Sequence, residues 1–333
     1  MKAEYSNKFE IKRGLKSVAP SRYDDFTFIS SQQINVDEIY SLGTPIIYSF
    51  SESLDSVALT LHDDVHELFS YPFFFQGQIK HAKGVVKIQS TSLESIFQKK
   101  RKTPIFLVSP GRVGSTLVSN ILKYGGVECL SEPDALSSFK LRNYNNRDQS
   151  DKQQFKSYLK QTICSYGSLV AADDYYIVKL RSYSSSLVPL MSEIITDSKY
   201  IFMFRNVSDW AISMIRTFNY KAGDLIWVMK QNIEAVRKAK ASGMKYLLIN
   251  YDELLSSPKE VVDQISQFLH PLELDVQNAL SAMRYDSQVG TGIDKSLFSN
   301  KQFSKSEYSD FMSAWSQFDQ GELNDLGLGF LVE

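Results

Sequence analysis

Beyond residue 100, short runs of β-branched, aromatic and leucine side chains recur at 105–108, 176–180, 200–204 and 246–249. Such runs suit strands buried on both faces of a parallel sheet. Helical spacing follows them. Leu117, Val118, Ile121 and Leu122 repeat at three and four positions, as do Leu187, Leu190, Met191 and Ile194, then Val261, Val262, Ile265, Phe268 and Leu269. Residues 225–240 form the longest amphipathic stretch, and 152–166 a further helix behind an exposed polar loop at 140–156. The pattern predicts an α/β protein whose central, mainly parallel sheet is flanked by helices.

The first hundred residues read differently. Short apolar runs at 45–50, 57–61 and 85–88, an aromatic cluster at 71–75 and a helix over 92–100 predict a smaller N-terminal α+β lobe. The basic run at 99–102 leads from this accessory lobe, residues 1–100, into the α/β domain, residues 101–333. No internal repeat or low-complexity tract interrupts either part.

Composition narrows the function classes. A chain of 333 residues with 43% hydrophobic and 13% aromatic side chains buries a large core. Its net charge of −1 gives no global attraction to nucleic acid, so any anion site is local. No apolar run approaches the roughly twenty residues of a membrane span. The N-terminus carries no secretory pattern, and the two isolated cysteines, Cys129 and Cys164, suit a reducing compartment. A cytoplasmic location is expected. His62 and His66 would share a helix face, but Asp63 stands where the H-E-x-x-H zinc motif needs Glu, so no metal site is expected.

The candidate chemistry lies at residues 104–117, Pro-Ile-Phe-Leu-Val-Ser-Pro-Gly-Arg-Val-Gly-Ser-Thr-Leu. A strand passes through a glycine-containing turn directly into a helix. Gly111 and Gly114 open backbone conformations closed to other residues, so that successive amides around Val113 face one anion. The helix mouth adds about half a positive charge and Arg112 a full one, beside the hydroxyls of Ser115 and Thr116. The usual G-x-x-x-x-G-K-[ST] phosphate loop is not satisfied, because no Lys precedes Ser115. Residues 199–213 form a second such element, in which the strand at 200–204 ends in Arg205. Ser208 or Asp209 is expected to cap the helix that carries Ser213.

The first element resembles the 5′-phosphosulfate loop of the P-loop sulfotransferases, in the branch that carries Arg rather than Lys. The second resembles that family's 3′-phosphate site, a strand-end Arg with a Ser eight residues on. A third stretch at 245–269, strand, Tyr-acid-acid-Leu, Pro and a helix ending in Phe-Leu, is similar in a looser way. The resemblance implies that the chain binds 3′-phosphoadenosine 5′-phosphosulfate (PAPS) through Gly111, Arg112, Val113, Gly114, Ser115, Thr116, Arg205 and Ser213. It implies release of adenosine 3′,5′-bisphosphate (PAP). The glycine-bearing stretch at 285–295 departs from the family's closing loop, and Lys295 or Lys301 would supply its charge.

In this family a Glu in a Ser-Glu-Pro-like context after the first helix is the base, and Glu132 matches that position, with Asp134 next in line. Lys179, at a strand end that also carries Arg181, is a candidate for holding the transferring sulfonate or the acceptor, as basic residues after this strand do in some members of the family. The expected activity is sulfuryl transfer to a hydroxyl of a small-molecule, lipid or carbohydrate acceptor. Two other readings stand beside it. One is a magnesium-dependent kinase, for which Asp252 would be the metal acid. The other is a sulfotransferase-like nucleotide-binding or interaction protein without turnover.

Overall fold

Five antiparallel strands form the first sheet, and their burial explains which of them the apolar runs reveal. β3 (Thr44–Phe50), β4 (Ser56–His62) and β5 (Gly84–Gln89) are almost wholly buried, and they match the three runs expected in the N-terminal lobe. β1 (Lys2–Ile11) and β2 (Phe26–Asn35) carry mostly exposed Lys, Glu, Ser and Gln, so no apolar run marks them. The spatial order is β2-β1-β5-β4-β3. Irregular register between Tyr5 and Phe9 bends the β1–β2 pair. Helix α1 (Phe74–His81) follows the aromatic cluster and buries Phe74, Phe75 and Ile79. Of the helix expected over 92–100, the described residues form one turn, Leu93–Ile96, and residues 98–100 lie outside the described residues.

The computed structural model describes residues 1–14, 19–97, 102–139, 144–171, 174–284, 298 and 302–332. Lys295 and Lys301 lie outside the described residues, as do Lys99, Lys100 and Arg101. The chain divides into two compact units. The first holds Met1–Pro104, Leu130–Val178 and Glu193–Ile195, and the second holds Ile105–Cys129, Lys179–Ser192 and Thr196–Glu333.

The second sheet has the order β10-β9-β6-β8-β7, built from β6 (Thr103–Val108), β7 (Cys129–Ser131), β8 (Tyr175–Lys179), β9 (Lys199–Phe204) and β10 (Lys245–Asn250). The ladders of β6 with β9 and of β9 with β10 are parallel, pairing Ile105 with Lys199 and Lys199 with Lys245. Helix α2 (Ser115–Tyr124) follows β6, and α3 (Gln149–Gly167) and α4 (Val188–Ile194) flank β8 in sequence. Next come α5 (Val207–Phe218), α6 (Ala222–Ala241), α7 (Tyr251–Ser256) and α8 (Pro258–Leu269), and α9 (Lys305–Trp315) lies nearer the C-terminus. The α/β pattern and the helices expected at 152–166 and 225–240 are therefore present. Among the described residues no helix is long and apolar enough to cross a membrane.

In-register pairing has a functional consequence. β6, β9 and β10 run parallel, so their carboxyl ends deliver residues 109–114, 205–206 and 251–252 to one edge, where open α/β sheets bind ligands.

Candidate functional site

The loop after β6 is left-handed at three of four consecutive positions: φ is +80° at Gly111, +56° at Arg112 and +85° at Gly114. For two glycines this costs little. For an arginine it costs about 1–2 kcal/mol, a strain that persists where surrounding contacts over-determine the backbone. Those contacts are present. Trp210 Nε1 donates to the Gly111 carbonyl at 2.9 Å, and Val113 is buried. A Cβ at Gly114 would lie 2.4 Å from the Tyr251 ring, so no other residue fits there. Gly114 is also the N-cap of α2 and gives it no side-chain acceptor, so the first amides of the helix, from Ser115 on, take no cap from it.

Ser213 sits on α5, one residue past the second turn. Arg112 Nε donates to Ser213 Oγ at 3.2 Å, so the two motifs read separately from the sequence meet. The cleft they share has a volume of about 420 Å³ and, among the described residues, is lined by Arg112, Arg205 and Arg216 with the acid Asp209, and by Ile212 and Phe298 as apolar wall. Arg205 forms an ion pair with Asp209 at 3.1 Å and lies 5.1 Å above the Tyr251 ring. The Nε atoms of Arg205 and Arg216 are buried and make no hydrogen bond among the described residues. Three arginines lining one cleft suit a multiply charged anion.

Sequence reasoning missed Arg216. It lies three residues after Ser213, on the same face of α5, and that spacing was the available signal. The expected cap of α5 is corrected as well. Asn206 Oδ1 accepts from Ser208 N at 3.0 Å and Asp209 N at 3.2 Å, which leaves Ser208 to bond Tyr308 and Asp209 to pair with Arg205. Asp252, the acid considered for magnesium, accepts from Asn206 N at 3.2 Å and so ties the β9 and β10 ends together.

Lys179 is 1% exposed at the end of β8, and its Nζ donates to Thr116 Oγ1 at 3.2 Å. The adjacent Leu180 N–H bonds the Leu107 carbonyl of β6, fixing the approach. A buried ammonium directed at the first turn of α2 raises the positive potential at the helix mouth. Nearby, burial pushes the Cys129 thiol up to about 11, against the lowering pull of Ser119 and Lys179. It is therefore an inert thiol.

Glu132 follows β7 and is half-buried, with φ at +57°. Among the described residues four non-glycines have positive φ, and Arg112 and Glu132 are two of them. Asp134 does not serve as a reserve base. It is fully buried, and its Oδ2 accepts from Arg13 Nη1 at 2.8 Å and from Ser21 N and Oγ at 3.0 Å. The two histidines four apart also separate, since His62 is buried at the end of β4 while His66 is exposed. Among the described residues no group of His, Cys, Asp and Glu is placed to hold a metal ion.

No family model matches the chain, and no curated protein does. Solved structures similar to it are sulfotransferases. The sulfotransferase domain from the Synechococcus PCC 7002 olefin synthase is 17% identical, covering 66% of this chain and 97% of that chain at a TM-score of 0.38. Sulfotransferase STF9 from Mycobacterium avium is 12% identical, covering 69% and 79% at 0.42. Retinol dehydratase, in complex with androsterone and the inactive cofactor PAP, is 13% identical, covering 88% and 92% at 0.34.

Proposed function

We propose that the chain is a sulfotransferase that moves the sulfuryl group of PAPS to an acceptor hydroxyl and releases PAP. The observation that carries this reading is the bond from Arg112 Nε to Ser213 Oγ, because it joins a 5′-side anion loop to a second anion site within one arginine-lined cleft. A nucleotide phosphorylated at both the 5′ and 3′ positions is the ligand whose charges match two such sites. The residues fit it, with left-handed glycines, a helix mouth without a side-chain cap and three arginines lining the cleft.

In the reaction the acceptor oxygen forms a bond to sulfur as the bond from sulfur to the 5′-phosphate oxygen breaks, and the acceptor proton must leave. Charge grows on the departing phosphate, and fixed donors already in place stabilise it without reorganisation. Arg112, the amides of residues 113–116 and the Ser115 and Thr116 hydroxyls take that role. Lys179 neutralises the sulfonate oxygens. Glu132 is the base that takes the acceptor proton. Arg205, Ser213 and Arg216 bind the 3′-phosphate. The acceptor is a small molecule, lipid or carbohydrate bearing a free hydroxyl.

A kinase reading asks for carboxylates around magnesium near the phosphates. Asp252 instead holds the Asn206 amide, and the cleft acid Asp209 holds Arg205. The test is calorimetric titration with PAP and, separately, with ATP and magnesium. Binding of PAP in preference to ATP supports the proposal. Indifference to PAP, or preference for the magnesium triphosphate, overturns it.

A further inference from the structure

We infer that Arg13, in the N-terminal segment, is a positioning residue for Glu132 that acts through Asp134. This rests on the reading of Glu132 as the base. The turn carrying Glu132 is bonded to the N-terminal sheet region on both sides of the glutamate. Ser131 Oγ donates to the Pro72 carbonyl at 2.7 Å, and Ser138 Oγ accepts from Phe50 N at 3.1 Å and lies 3.2 Å from Ser49 Oγ. Between them, two residues after Glu132, Asp134 takes the bonds from Arg13 and Ser21.

Arg13 is held through its Nη atoms and one ring face, while its buried Nε makes no hydrogen bond among the described residues. Its side chain is 3% exposed, its guanidinium lies 3.6 Å over the Phe75 ring, and its Nη atoms also donate to Ser21 Oγ and the Ala19 carbonyl. A planar fork satisfies a carboxylate, a hydroxyl and a carbonyl at once, which a lysine point charge does not. Glu132 needs such an anchor. Its left-handed backbone is disfavoured for a side-chain-bearing residue and relaxes unless its flanks are fixed. Pro133 stiffens the link, so the Arg13–Asp134 pair sets where the Glu132 carboxylate points. A purely structural ion pair would stabilise the fold and leave the chemical step alone.

The experiment is a double-mutant cycle on PAPS hydrolysis with water as acceptor, followed as PAP release, with each variant's folding checked by circular dichroism and by PAP calorimetry. Arg13→Ala is expected to lower kcat about tenfold or more while the PAP Kd stays within about twofold, and Arg13→Lys to recover only part of that loss. Added to Glu132→Gln, Arg13→Ala is expected to cause no further loss, because the group it positions is already disabled. If Arg13→Ala does not fold, Ser21→Ala, which removes one Asp134 bond, replaces it in the same cycle. Additive losses, or a folded Arg13→Ala with wild-type kcat, overturn this inference alone. A wild-type chain that binds no PAP or does not hydrolyse PAPS overturns the function reading and this inference together.

Discussion

Arg112 and Ser213 are 101 positions apart in sequence, yet the arginine Nε donates to the serine hydroxyl at 3.2 Å. The bond spans the loop after β6 and the helix after β9, so the two anion elements form one continuous surface. Arg112→Ala is expected to weaken PAP binding by about 1.5–3 kcal/mol, the range for a hydrogen bond to a charged group, and to slow turnover with it. Calorimetry and PAP-release rates measure both. Arg112→Gly separates charge from backbone strain. It should bind as poorly as the alanine variant but melt higher, by about 1 kcal/mol of stability, because φ of +56° suits glycine.

Glu132→Gln keeps the shape of the proposed base and removes its carboxylate. Turnover is expected to fall by on the order of a hundredfold, with PAP affinity within about twofold of wild type. A parallel loss of affinity would assign Glu132 to donor binding instead.

Gly114→Ala tests the cradle. The new Cβ would meet the Tyr251 ring at 2.4 Å on a backbone at φ +85°, so either the loop or the ring must move. Loss of measurable PAP binding and a lower melting temperature are expected. Tyr251→Ala should restore space but not affinity in the double variant, because the φ penalty stays.

Arg216→Ala probes the cation that sequence reasoning passed over. Its Nε is buried without a bond and its guanidinium lies 5.7 Å over the Phe303 ring. PAP affinity is expected to fall about tenfold, the lower end for a charged contact, while the affinity for adenosine 5′-phosphate, which lacks the 3′-phosphate, changes little. Equal losses for both nucleotides would place Arg216 elsewhere on the ligand.

His62 governs stability against pH. Burial lowers its pKa from 6.5 to about 4 in the folded chain. Neither ring nitrogen makes a hydrogen bond among the described residues. Well above pH 6.5 the group is neutral both folded and unfolded, so its effect on stability does not vary with pH. As pH falls from 6.5 towards 4 the unfolded chain takes up a proton that the folded chain refuses, so stability declines by up to on the order of 3 kcal/mol. Urea midpoints measured across that window should fall for the wild type and flatten for His62→Leu.

Legibility followed locality. The anion loop was readable because its strand, its glycines, Arg112 and its helix lie within fourteen consecutive residues. β6 and β9 were readable because strands buried on both faces are uniformly apolar, and β10, although partly exposed, keeps the apolar run Leu247–Ile249. β1 and β2 were not, since they hold no continuous apolar run; in Lys2–Ile11 the apolar Ala3, Tyr5, Phe9 and Ile11 only alternate with polar residues, a weaker signal that was passed over. Asn206 was overlooked as a cap because Ser208 and Asp209 satisfy the same preference two and three residues later. The Arg13–Asp134 pair spans 121 positions, and nothing in either local sequence announces the other.

That separation bears on how such a chain can be reshuffled. The unit that begins at Met1 reclaims the segment from Leu130 to Val178, so one crossover near residue 104 in a genetic exchange would import a foreign leader while retaining an aspartate selected to face a particular arginine. The hybrid would inherit a solvent-excluded carboxylate lacking its counter-ion. Viable recombinants should therefore either exchange both stretches together or arise in lineages where the acid has already been replaced.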